Sequence, residues 1–202
     1  EDGSEIRLLE KIFTPEEAAL AAQLRLTLET PRQLAARIGG EPRELKAQLK
    51  TMLRKGLITA GKAEEGLGYG LLPFVVGIYE MQMAALDEEM SRLFEAYYKQ
   101  AFGHMLNLEP AFHRVVPVNE TVQTGMEIHP YESVTDIINN ANAWGVQDCI
   151  CRKQKALIGE ACDHPIENCM IFSSRSGNFD GHPTVRALTH EEALQTIKDV
   201  AD

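Results

Sequence analysis

All four cysteines of this chain fall in one short segment: Cys149-Ile150-Cys151-Arg152, then Cys162-Asp163-His164-Pro165, then Cys169. The pattern is C-x-C-R-x9-C-x2-P-x3-C, and none of the other positions in the 202 residues is a cysteine. Whatever surrounds it, this segment is expected to bring its four cysteines together in one metal site. Four thiolates match the ligand count of a [4Fe–4S] cluster, a [2Fe–2S] cluster or a structural zinc. A disulfide framework is the weaker reading, because C-x-C cannot easily bridge within itself. The opening Glu1-Asp2-Gly3-Ser4-Glu5 is acidic and polar and reads as no secretory signal. A cytoplasmic location, where thiols stay reduced and clustered cysteines hold metal, is therefore expected.

Three features of the segment favour iron and sulfur over zinc. C-x-C is short for the tight turn that opens most zinc knuckles. Ile150, Met170, Ile171 and Phe172 are apolar flanks able to shield a cluster. Arg152 and Lys153 set positive charge beside a cluster that four thiolates make negative. Pro165 stiffens the loop before Cys169. His164 reads as a loop residue, and His113, His129 and His182 have no partners at ligand spacing.

Ahead of this segment the chain is punctuated by helix signals. Ser4 is a candidate cap for a helix reaching Phe13, with Ile6, Leu9 and Phe13 on one face. Thr14-Pro15-Glu16-Glu17 offers a capping hydroxyl, Pro at the first helical position and Glu three residues after the cap. Thr30-Pro31 repeats the signal for a short helix to Ile38. Gly39-Gly40 breaks it, Glu41-Pro42 starts another to about Lys55, and Gly56 stops that one. Leu57-Ile58-Thr59 and Tyr69-Gly70-Leu71-Leu72 read as two strands around a Gly- and charge-rich loop. Short helix, tight turn, second helix and hairpin resemble the winged helix-turn-helix, a fold that docks proteins as well as reading DNA.

Charge bears on that choice. The formal net charge is −10, yet residues 1–72 balance, so the acidic excess lies from Pro73 onward and repels phosphates. The second helix of the pair carries Arg43, Lys46 and Lys50, with Arg54 and Lys55 beyond them, as candidate contacts to DNA or protein. Leu45, Leu49, Met52 and Leu53 must face the core, which limits how many of these cations share a side, so protein docking is expected over DNA.

A long helix is expected from Ile78 to Gly103, its Met81, Met83 and Met90 filling core and offering an apolar surface for a homodimer. Strands are expected over 114–118 and 125–128, and a helix over 131–142. A last capping box, Thr189-His190-Glu191-Glu192, precedes an amphipathic helix with Ala193, Leu194, Ile197 and Val200. The domains expected are 1–77, a linking helix over 78–109, and a cysteine-bearing domain over 110–202. The fold class is α+β, mostly α. No apolar run approaches the ~20 residues of a membrane-crossing helix.

Cys149-x-Cys151-Arg152, Gly159, Cys162-x2-Pro165-x3-Cys169 and Phe172, with Leu72-Pro73-Phe74-x2-Gly77-x-Tyr79-Glu80 ahead of them, resemble a family of ferredoxin-type [4Fe–4S] proteins of anaerobic bacteria and archaea. In that family a helical, winged-helix-like front half precedes the cysteines, and members continue into further cysteines and a two-cluster ferredoxin domain. The resemblance implies a [4Fe–4S] cluster held by Cys149, Cys151, Cys162 and Cys169, with Arg152 beside it. It implies single-electron transfer within a larger complex or to a partner domain, an accessory redox role more than an enzymatic one. The rival readings are a redox-sensing winged-helix regulator and a zinc-stabilised interaction module. The chain has no P-loop, no G-x-S-x-G, and no dinucleotide motif; Gly66-Leu67-Gly68-Tyr69-Gly70 leads to a strand. Ser173-Ser174-Arg175-Ser176-Gly177-Asn178 offers backbone amides to an anion and reads equally well as a polar surface loop.

Overall fold

The computed structural model describes residues 3–105 and 133–201, and the chain divides into two compact units, 1–101 and 102–202. Helix and sheet are mixed, with helix predominant. The strands expected at 114–118 and 125–128 lie outside the described residues, as do His113 and His129.

The first unit opens with α1 (Ser4–Ile12) and α2 (Pro15–Ala21). Ser4 is not the cap of α1: Gly3 takes that place in a left-handed conformation, and Ser4 is buried inside the first turn. The buried face of α1 is Leu8 and Ile12, while Ile6 and Leu9 point outward, so the expected stripe was turned by about one residue. The capping boxes form as the sequence dictates. In α2 the Glu17 N–H donates to Thr14 Oγ1 at 3.2 Å and the Thr14 N–H to the Glu17 carboxylate at 3.1 Å. Thr30 and Gln33 make the same exchange at the start of α3 (Pro31–Ile38).

A break at Gly39-Gly40 leads to α4 (Pro42–Arg54) and a hairpin of β1 (Ile58–Ala63) and β2 (Gly66–Leu71). The strands run longer than expected, because Ala63 pairs with Gly66 across the turn Glu64-Glu65. Gly68 and Gly70 have a packing role: a Cβ on Gly68 would meet Leu28 at 2.9 Å, and one on Gly70 the Arg25 carbonyl at 3.1 Å. The segment before α3 lies that close to β2, and Glu29 exchanges backbone hydrogen bonds with Tyr69. The Arg37 guanidinium donates to both oxygens of Glu29, at 2.9 and 2.5 Å. That pairing holds the Glu29 carboxyl below its ordinary range.

The helix expected from Ile78 to Gly103 is broken. A 3-10 turn (Glu80–Ala85) is followed by extended Leu86, and Asp87 then caps α5 (Glu88–Tyr97) by accepting the Met90 N–H at 2.7 Å. Gln82 is buried beneath the end of α4, donating to the carbonyls of Lys55 and Ile78, both at 3.1 Å. α5 packs on α1 and belongs to the first unit, as does most of the segment expected to link domains. Tyr79 stacks on Phe94 with ring centroids 3.8 Å apart, and Met90 is buried, whereas Met81 is exposed. Helical turns continue through Tyr98–Phe102 to α6 (Gly103–Met105).

In the second unit α7 (Val134–Asn140), capped by Ser133, precedes a three-stranded antiparallel sheet. Its order is β4 (Glu167–Ser173), β3 (Ala143–Asp148), β5 (Arg186–Leu188), with α8 (Ile150–Leu157) between β3 and β4. The last helix, α9 (His190–Ala201), starts on the expected box: the Thr189 N–H donates to Glu192 at 2.7 Å. Strand alternation sends Val146, Trp144, Met170 and Phe172 to one face, under Ile138 of α7 and Ala193 of α9. The other face meets Phe179 and Val185. There Gly145 leaves no room, since a Cβ would sit 2.5 Å from Val185 Cγ1.

Candidate metal centre

The turn from β3 into α8 positions the first two cysteines. Cys149 is the N-cap of α8, and its N–H donates to the Ile166 carbonyl at 2.8 Å. Cys151 follows in the first turn of the helix. Cys169 lies on β4 opposite Gln147, and a register shift follows, so that Glu167 faces Asp148. The end of β3, the start of α8 and the start of β4 thus carry three of the four thiols to the same end of the sheet. By strand alternation Cys169 shares the face of Ile171, away from Met170 and Phe172.

Cys162 sits on the connection between α8 and β4. α8 ends in a Schellman turn at Gly159, whose φ is +85°. The Gly159 N–H donates to Ala156 at 3.1 Å and the Glu160 N–H to Lys155 at 2.8 Å. From there to Pro165 the chain is exposed. Arg152 reaches across to that connection, donating from Nη1 to the Pro165 carbonyl. This ties the helix carrying Cys149 and Cys151 to the loop between Cys162 and Cys169.

Cys149 and Cys169 are partly buried, Cys151 and Cys162 exposed, and none is joined in a disulfide. Thiol donors suit iron or zinc. Among the described residues, however, no three His, Cys, Asp or Glu side chains converge on a point that could hold a metal ion. The structure gathers the ends of the segment without closing a ligand set. His164 and His182 are exposed, and His182 Nδ1 lies 3.3 Å from the Thr184 N–H.

Two expectations about the surroundings are revised. Met170, Ile171 and Phe172 pack into the two core clusters of the sheet, so their apolar character is used by the fold. Lys153 is paired with Asp148 at 2.5 Å, which leaves Arg152 as the cation that spans the segment. Glu167 and Arg186, which the sequence reading passed over, pair at 2.7 Å beside Asp148. The Arg186 guanidinium holds the Glu167 carboxyl below its ordinary range. Their only sequence signal is opposite charge on the two strands that flank β3, legible once the sheet order is known.

On α4, Arg43, Lys46, Lys50 and Arg54 recur at i, i+3, i+7 and i+11 and form one exposed stripe, opposite buried Leu45, Leu49 and Met52. The limit expected from core packing therefore still leaves four of the five cations on one side. Among the described residues, Arg43, Lys46 and Lys50 have no acidic partner within ion-pair distance, whereas Lys55 pairs with Glu17 at 2.6 Å. Among the described residues no helix is long and apolar enough to cross a membrane. No protein-family model matches the chain, and no curated protein or solved structure matches it either.

Proposed function

We propose that the second unit holds an iron–sulfur cluster on Cys149, Cys151, Cys162 and Cys169 and passes single electrons to a partner protein or domain. The observation that carries this reading is the fold-back of β3, α8 and β4. It sets Cys149, Cys151 and Cys169 at one end of the sheet, with Arg152 tethered to the loop that bears Cys162. A bound [4Fe–4S] cluster supplies a one-electron donor and acceptor. The chain's part is to present four thiolates, to keep the partly buried pair from water, and to fix the loop through Arg152. Because Cys162 lies on an exposed connection, binding is coupled to the ordering of that loop. The resemblance of the cysteine pattern to ferredoxin-type proteins supports the same assignment.

Purified without oxygen, the protein is expected to be brown and to contain about four iron and four sulfide per chain. Metal and sulfide analysis checks this. A colourless anaerobic preparation with one zinc per chain would replace the cluster by a structural zinc and the electron carrier by a zinc-stabilised interaction module.

The basic stripe of α4 favours a second reading. In it the first unit is a winged helix, the stripe faces a duplex, and the state of the metal centre sets how tightly it binds. Four phosphate contacts would make affinity fall with salt at a slope near −3.6 on logarithmic axes, from about −0.9 per contact. Titration of mixed-sequence duplex at low and physiological salt, with Lys46→Glu plus Lys50→Glu as the control, separates the readings. Binding that persists at physiological salt and is lost in the double variant selects the regulator. Binding absent at low salt leaves the stripe to a protein partner.

A further inference from the structure

The first unit contains a second feature, unrelated to the cysteines. A cavity of about 570 Å³ opens between α1, α2 and the exit of β2, walled by Leu8, Phe13, Ala21, Leu72 and Phe74 among others. That volume is within the range that accepts a drug-sized molecule. The wall is almost entirely apolar, and among the described residues it has no basic side chain. Among the described residues its one charged member is Glu5, partly buried in the first turn of α1, where the helix dipole favours a carboxylate. Among the described residues nothing donates to that carboxylate or pairs with it.

Those properties discriminate between occupants. A peptide segment would bring backbone N–H and C=O groups against a wall with few groups able to satisfy them, at a cost of about 1–3 kcal/mol for each one stranded. An anionic lipid would set its carboxylate against Glu5 with no cation in the wall to receive it. A neutral hydrocarbon would fill the apolar space while stripping water from Glu5 and giving it no partner. An apolar body bearing one protonated amine meets both demands. We propose that this cavity is a binding site for a small apolar ammonium compound, with Glu5 as the counter-ion.

Three shape-matched probes test this on the full chain: 4-phenylbutylammonium, 4-phenylbutanoate and 4-phenylbutanol, each followed by calorimetry and by amide NMR shifts. The ammonium is expected to bind about five-fold more tightly than the alcohol and more tightly still than the carboxylate, the scale of one partly exposed ion pair. Glu5→Gln should remove the preference for the ammonium and leave alcohol binding unchanged. Ala18→Trp, on the exposed rim of α2, should fill the mouth and weaken all three probes, with circular dichroism confirming that the helices persist. Equal affinity for the three probes, preference for the carboxylate, indifference to Ala18→Trp, or no binding at millimolar concentration would each overturn the proposal.

Discussion

Gly56→Ala is expected to destabilise the first unit by roughly 2–5 kcal/mol, combining left-handed backbone strain with overpacking. Gly56 follows α4 at φ +71° and completes a Schellman turn: its N–H donates to Leu53 at 3.0 Å and the Leu57 N–H to Met52 at 3.0 Å. An alanine there must hold a left-handed conformation. Its Cβ would also lie 2.3 Å from the Cβ of Met81 and 3.0 Å from Met81 Cγ. The Met81 Cβ is fixed by its own backbone and cannot swing aside, so the turn over Glu80–Ala85 has to move. That turn holds Gln82 beneath α4, and its displacement would break the bonds to Lys55 and Ile78. Gly159→Ala is the internal comparison. Gly159 ends α8 in the same way at φ +85°, with nothing within 4 Å of its would-be Cβ, so it registers strain alone, about 1 kcal/mol. Chemical denaturation followed by circular dichroism reads both. Equal losses for the two variants would show that the Met81 contact is relieved without cost.

Cys151→Ser and Cys169→Ser are each expected to remove most of the bound iron from anaerobic preparations while leaving the unfolding of the first unit unchanged. The two thiols come from different elements, α8 and β4, so each deletion opens the ligand set from a separate side. The first unit contains no cysteine. It has its own core, with Leu8, Leu34, Leu49, Met52 and Tyr69 almost fully buried, and therefore has no thermodynamic link to the metal through its own residues. Iron analysis and denaturation of the same samples decide the matter. Loss of all helical signal on removing one thiol would show that the units do not fold independently, and full iron content in either variant would exclude that cysteine as a ligand.

Much of the first unit was legible because its signals are local. Thr14 with Glu17 and Thr30 with Gln33 satisfy backbone groups within one turn, and Gly56 ends α4 through conformational freedom that other residues lack. The basic stripe was also legible. Its spacing of three and four puts Arg43, Lys46, Lys50 and Arg54 on one side, because the core face of α4 is narrow enough to leave that side free. The second unit was harder to read. Ala143–Asp148 and Glu167–Ser173 are short strands whose apolar residues face two different core clusters, so neither shows the clean alternation of a half-buried strand.

By itself, then, the sequence determined the starts of α2, α3, α4 and α9, the stop of α4 at Gly56, the hairpin, and the segment in which every thiol must lie. Those features depend on groups a few residues apart. Tertiary structure decided what depends on distant partners. It interrupted the helix expected from Ile78 at extended Leu86, and it set Gln82, just before that point, against the carbonyl of the distant Lys55. It took the apolar neighbours of Cys169 for the sheet core, because Met170 and Phe172 pack against one core cluster and Ile171 against the other. It tied Arg152 to Pro165, because β3 and β4 pair and bring the two ends of the cysteine segment together.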